Sequence, residues 1–179
     1  MSLTKISINN FRCFKNVDLQ LSPGINFFFG KNGSGKTSIL ESVFIFSSGK
    51  SFKSSNLASL VNYENDKFTL KAFDNLKGYI VEIEKNKNKP ISVLLNNKKV
   101  TTSKLIKEFP CTPIHNNTFS FADASPDFRR KLLDRSIFIS EKSFSECWFS
   151  YYRSLKQRNS ILKNNRISNI YIWNTKLSD

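Results

Sequence analysis

The sequence predicts an α/β fold: a mixed sheet with an antiparallel β-subdomain, followed by a helical segment. Three observations carry this. Short apolar runs, most of them alternating, recur from Leu3 to Val100. One continuous apolar run leads through a glycine-rich turn into an apolar-faced helical stretch. After Pro126 the apolar residues recur every three or four positions, the period of a helix rather than of a strand.

In chain order, "LTKISINNF" sets Leu3, Ile6 and Ile8 in a mostly alternating run and reads as a strand. "KNVDLQL", with Val17, Leu19 and Leu21, reads as its neighbour. Pro23-Gly24 punctuates a turn. "INFFF", from Ile25 to Phe29, reads as an apolar run broken only by Asn26, the pattern of a strand buried on both faces. "SILESVFIF", from Ser38 to Phe46, reads as a helix, with Ile39, Val43 and Phe46 at spacings of four and three. Strands are expected at Phe68 to Phe73 and Tyr79 to Glu84. "ISVLL" then meets "KKV" across Asn96-Asn97; Asn tolerates positive φ, so this reads as a tight hairpin. Lys85 to Lys107 is read as mostly hairpin and loop. Pro126 to Phe138 reads as a helix with Pro near its start. Ser143 to Leu162 reads as a long amphipathic helix, and its Phe144, Cys147, Trp148, Tyr151, Leu155 and Leu162 form a stripe expected to be core.

Lys and Arg number 28 against 14 acidic residues, a formal net charge of +14. That balance favours a polyanionic partner: nucleic acid, nucleotide phosphates or an anionic membrane surface. The bland alternative is a solvated lysine surface. The charge is concentrated, with seven Lys and no acid between Lys85 and Lys107 and a second basic cluster from Arg153 to Arg166. Cys13, Cys111 and Cys147 are far apart and odd in number, which argues against a disulfide framework. His115 is the only histidine, so no cysteine–histidine metal centre is expected. The cysteines are expected to be buried small hydrophobes in a reducing compartment. The N-terminus alternates like a strand and lacks the pattern of a signal peptide. No apolar run approaches the roughly 20 residues of a membrane span. A cytoplasmic protein with no membrane partner is expected.

The glycine-rich turn carries the chemistry. Gly30-Lys31-Asn32-Gly33-Ser34-Gly35-Lys36-Thr37 matches G-x-x-x-x-G-K-[ST]. A loop wrapped around a triphosphate must turn its backbone N–H groups inward, through φ values that glycine reaches without steric cost. The helix that follows directs unpaired N–H groups and a positive dipole end at the phosphates. Lys36 places a compact charge on the β- and γ-phosphates, and Thr37 offers a hydroxyl to Mg²⁺. An apolar run before the loop and an apolar-faced helix after it supply the context that the motif requires. The loop alone does not choose ATP over GTP. A small GTPase or P-loop kinase is the weaker reading, since neither a "DxxG" nor an "NKxD" motif follows the loop.

Beyond this motif, "ISINNFRCFKNVDLQLSPGINFFFGKNGSGKTSILESV" resembles the head of ABC-type genome-maintenance ATPases, the group that includes the SMC proteins. Asn10-Phe11-Arg12 and Leu40-Glu41 supply the two ends of the shared pattern. Later blocks resemble the RecF family in particular. "SSGKSFKSSN" is similar to its "GRSFR" loop through Gly49, Lys50, Ser51, Phe52 and Lys53. "SPDFRRKLLDRSIF" is similar to its "SPxxRRxFLD" helix through Ser125, Pro126, Arg129, Arg130, Leu133 and Asp134. "YYRSLKQRNSIL" matches "Y…LKQRN" through Tyr152, Leu155, Lys156, Gln157, Arg158 and Asn159, and "WNTKLSD" resembles "WDxxL" with Asn174 in the Asp position.

The resemblance implies a partial ABC-type ATPase head over residues 1–139 and the start of a helical arm over 140–179. It implies an ATP- and Mg²⁺-dependent dimer that binds DNA, recognises single-strand gaps in duplexes, and works with RecO/RecR-type mediators to load a RecA recombinase. It brings Arg12 to the bound phosphates; a surface arginine at a strand end is the competing reading. Lys50, Lys53, Arg129 and Arg130 either touch DNA phosphates or hold helices in place.

Two departures stand out. No apolar run ending in Asp-Glu follows the loop, and no "LSxGQ"-like signature is found. The family carries both in its C-terminal half, so the chain is expected to correspond to the N-terminal half, either as a fragment or as a shortened gene product. No catalytic residue is assigned, and no useful ATP turnover is expected from this polypeptide alone. "HNNTF", from His115 to Phe119, also stands where the family has "PED" or "PEG", with Asn116 and Asn117 at the Pro and Glu positions. The alternative function is a non-enzymatic nucleic-acid-binding fragment that has lost its nucleotide dependence.

Overall fold

Strand-forming residues in the first half of the chain alternate between a buried and a half-buried face, and this alternation sets the sheet. The computed structural model describes residues 3–114, 125–141, 143–164 and 170–178. The chain divides into two units, Met1–Phe119 and Ser120–Asp179.

The first unit is built on a six-stranded sheet. Its strands are β1 (Leu3–Phe11), β2 (Phe14–Gln20), β3 (Lys67–Asp74), β4 (Tyr79–Asn86), β5 (Ser92–Leu95) and β6 (Lys98–Lys99). They lie in the order β2-β1-β3-β4-β5-β6, and each pairing is antiparallel. Asn96 and Asn97 take φ of 48° and 61° between β5 and β6, as expected of a two-residue hairpin turn. Ile6, Ile8, Phe68, Leu70, Val81 and Ile83 bury one face of the sheet. Two helices complete that core: α1 (Lys36–Ser48) through Ile45 and Phe46, and α2 (Thr102–Glu108) through Leu105 and the adjoining Phe109. Gly49 ends α1 at φ 63°, its N–H donating to the Ile45 carbonyl at 2.8 Å, the left-handed cap that glycine makes without strain.

Three expectations for this unit are corrected. Ile25–Phe29 pairs with no strand among the described residues, and Ile25, Phe27 and Phe29 are 77%, 83% and 95% exposed. A strand buried on both faces needs cover on both, and none of the six described strands takes this segment as a neighbour. Thr102–Glu108, within the stretch read as hairpin and loop, is helical. The Thr101 hydroxyl accepts from the Lys104 N–H as its cap, and Leu105 and Phe109, four apart, bury its inner face. Cys13 is exposed rather than buried, because it sits in the two-residue turn that joins β1 to β2.

The second unit comprises α3 (Pro126–Ser140), α4 (Phe144–Lys163) and α5 (Ile170–Ser178). Ser125 caps α3, accepting from the Phe128 N–H at 3.4 Å, with Pro126 in the first turn. Trp148 stacks with Tyr152 at 4.2 Å between ring centres and meets Phe138 and Phe149 edge-on. Its Nε1–H donates to Asp134 Oδ2 at 3.2 Å. The α4 stripe expected to be core is only partly so. Phe144, Trp148 and Leu155 are half-buried, while Cys147, Tyr151 and Leu162 are exposed. The described neighbours within this unit cover one side of α4 and leave the rest of the stripe in solvent.

Candidate nucleotide-binding site

The glycine turn opens directly into α1. Gly30, Gly33 and Gly35 take φ of 149°, 83° and 92°, values that a Cβ would strain. At Gly35 the approach is also close: a Cβ there would come within 2.3 Å of the Phe14 ring and 3.1 Å of Cys13 Sγ. Gly35 is the N-cap of α1 and supplies no side-chain cap. The first-turn N–H groups are thereby left for an anion. Lys36 Nζ donates to the carbonyls of Gly30 and Lys31, both at 2.8 Å, which holds its ammonium across the loop. Lys31, Asn32, Ser34 and Thr37 are exposed.

A second wall faces this loop across an open cleft of about 600 Å³. It consists of the β1–β2 turn and the segment Ser59–Tyr63. The two are tied together by backbone. Arg12 N–H donates to the Leu60 carbonyl at 2.7 Å, and Asn62 N–H to the Asn10 carbonyl at 2.8 Å. Asn62 Nδ2 adds a bond to the Arg12 carbonyl at 3.0 Å, and Phe11 bridges Val61.

Arg12 lines this cleft, as does Lys53. Its side chain is committed to a partner: Nε and Nη2 donate to the two carboxylate oxygens of Glu41 at 2.7 and 2.8 Å. Glu41 is fully buried on α1 and also accepts from the Ser51 hydroxyl. The hydrogen bond that Arg12 donates to Glu41 raises its pKa above the ordinary value, so the guanidinium is a fixed positive charge at the mouth of the cleft. The backbone of Arg12 is left-handed at φ 55°, an uncommon state for a residue with a side chain.

Among the described residues, Arg12, Lys36 and Lys53 line the cleft and no carboxylate does. With the uncapped helix start, this charge pattern suits phosphate. For Mg²⁺, the lining supplies the Thr37 hydroxyl, a hard oxygen of the right type, which the nucleotide's own phosphate oxygens would supplement. The described residues hold no group of three or more His, Cys, Asp or Glu side chains placed for a metal ion.

The other residues singled out in the sequence fall elsewhere. Lys50 is exposed just past the end of α1. Arg129 and Arg130 lie on α3 of the second unit, where Arg130 Nε donates to the Pro126 carbonyl at 3.3 Å. The His115–Phe119 loop lies outside the described residues. Reading the sequence missed Glu41 as a ligand of Arg12, and missed Ser51, Asn62 and Tyr63 entirely as parts of the site. The Arg12–Glu41 pair spans 29 positions and has no local signature.

Residues 5–173 match the model of a family described as the AAA domain. The chain is 38% identical over 184 residues to the DNA replication and repair protein RecF of Glaesserella parasuis, covering 99% of this chain and 50% of that protein. It thus spans about half the length of the curated relatives it matches. Among solved structures it is similar to the recombination mediator protein RecF bound to ATPrS, with a TM-score of 0.85 and 26% identity, covering 98% of this chain and 50% of that one. It shares its fold with an SMC ATPase at a TM-score of 0.60 and 20% identity, covering 75% of this chain and 99% of that one.

Proposed function

This chain belongs to the AAA domain family, and on that footing we propose that it binds Mg²⁺–ATP at Gly30–Thr37 as a RecF-like protein of DNA repair and replication. The single observation that carries the reading is the loop itself: three positive-φ glycines, an uncapped helix start and Lys36 drawn across them. RecF relatives, one of them solved with an ATP analogue, support the choice of nucleotide. The loop and first-turn amides bind the phosphates, Lys36 neutralises them, and Thr37 holds the metal alongside phosphate oxygens. The finer reading extends the same proposal. The protein acts in the cytoplasm as an ATP-dependent homodimer, recognises single-strand gaps in duplex DNA, and cooperates with RecO/RecR-type mediators in placing a RecA recombinase. No described helix is long and apolar enough to cross a membrane.

Titrating a fluorescent ATP analogue in magnesium tests the site. Lys36→Ala is expected to weaken binding about tenfold to a hundredfold, the worth of a charge-assisted hydrogen bond to phosphate. Equal affinity in the two proteins would overturn the assignment and favour a nucleic-acid-binding fragment without nucleotide dependence.

For DNA, the structure separates two sets of lysines. Lys5, Lys15 and Lys67 are paired with Asp18, Glu64 and Glu84 at 3.1, 2.7 and 2.7 Å. Lys87 and Lys89 are exposed on the β4–β5 connection, and Lys98 is exposed at the start of β6. Changing either set to Gln removes the same net charge. The exposed set is expected to lose more affinity for gapped, single-stranded and duplex DNA. It should also flatten the salt dependence by about one unit of slope per phosphate contact removed. Equal losses from both sets would remove the case for a DNA-facing segment.

A further inference from the structure

The cleft has more wall than three phosphates need. On the wall facing the loop it continues to Val61 and Tyr63, two side chains without charge. Tyr63 is 83% exposed, an unusual position for a large ring beside so firmly held a segment. Its neighbour Asn62 is buried and bonds across to both Asn10 and Arg12. Asn62 Oδ1 also accepts from the Glu64 N–H at 3.2 Å. The Tyr63 hydroxyl donates to Glu64 Oε1 at 2.8 Å, and Lys15 holds Glu64 in turn at 2.7 Å. The ring is therefore tethered at its tip and follows a firmly held neighbour, while much of its surface is left to solvent at the cleft.

We propose that Tyr63 is the stacking platform for the nucleobase of the bound nucleotide, with Val61 as its apolar neighbour. The inference rests on the reading of Gly30–Thr37 as the phosphate site. The chemistry is complementary across the cleft: Lys36 and the first-turn amides on the α1 side for phosphate, a π-face and Val61 on the facing wall for a base. A base gains most of its stacking from the ring face, so the phenol hydroxyl serves to orient the ring rather than to touch ligand.

The test separates base from phosphate. Affinities for ATP and for inorganic tripolyphosphate, both in magnesium, are measured for the unaltered chain, Tyr63→Ala, Tyr63→Phe and Lys36→Ala. Tyr63→Ala is expected to lose roughly tenfold for ATP and to stay within about twofold for tripolyphosphate. Tyr63→Phe keeps the ring face and is expected to retain most of the ATP affinity. Lys36→Ala should lose both ligands. Equal effects of Tyr63→Ala on the two ligands, or none on ATP while Lys36→Ala abolishes it, would overturn the stacking role and leave the phosphate site standing. An unaltered chain that binds neither ligand would overturn both.

Discussion

Arg12→Ala is expected to destabilise the first unit by about 3–5 kcal/mol, because it strands a buried carboxylate. Glu41 is fully buried, whereas the Arg12 side chain is 31% exposed. The pair is therefore asymmetric. Without Arg12, the Glu41 carboxylate keeps only the Ser51 hydroxyl among the partners identified for it. Without Glu41, Arg12 can turn toward water. Glu41→Ala should cost distinctly less than Arg12→Ala, and the double substitution less than Arg12→Ala alone. The left-handed backbone at position 12 does not confuse the comparison, since alanine meets nearly the same steric cost there as arginine. Urea denaturation of the four proteins gives the cycle. If Arg12→Ala and Glu41→Ala were equal and additive, the fork would be a surface contact rather than a buried one. Typical domains have only about 5–15 kcal/mol in hand, so the predicted loss is a large fraction of the whole.

The same pair shows what a sequence displays and what it hides. The phosphate loop is contiguous, and its glycines are required by local backbone geometry, so eight adjacent residues announce it. The Asn96-Asn97 hairpin is legible for the same reason. Glu41 sits on a helix between Leu40 and Ser42 with nothing local to mark it as the anchor of Arg12. Its role exists only once β1 and α1 are packed together. Tyr63 is hidden similarly, since its place at the cleft depends on Asn62 bonding back to a turn some fifty positions earlier. The α2 helix was obscured by composition: the lysine-rich stretch around it suggested loop, while Thr101, Leu105 and Phe109 held the cap and the buried face. Apolar periodicity misled at Ile25–Phe29 because a run of apolar residues reports a preference for burial, not the presence of something to be buried against.

That last distinction yields the second large prediction, on two phenylalanines with opposite surroundings. Phe68 is fully buried, edge-on to Phe11 at 5.1 Å between ring centres. Phe68→Ala is expected to cost about 3–5 kcal/mol, from lost transfer energy and the cavity left behind. With a urea slope near 2 kcal/mol/M, that lowers the midpoint by about 2 M. Phe27 is exposed, as are Ile25 and Phe29 in the same segment, and only Phe28 is half-buried. Phe27→Ser is expected to change stability by no more than about 0.5 kcal/mol. It should lower self-association of the 179-residue polypeptide, because an unpaired apolar segment templates contacts with other chains. Light scattering against concentration reads the second effect and urea denaturation the first. A midpoint loss in Phe27→Ser comparable to that in Phe68→Ala would mean that Ile25–Phe29 is packed as the buried strand its composition suggests. Unchanged stability with reduced scattering is what the exposed segment requires.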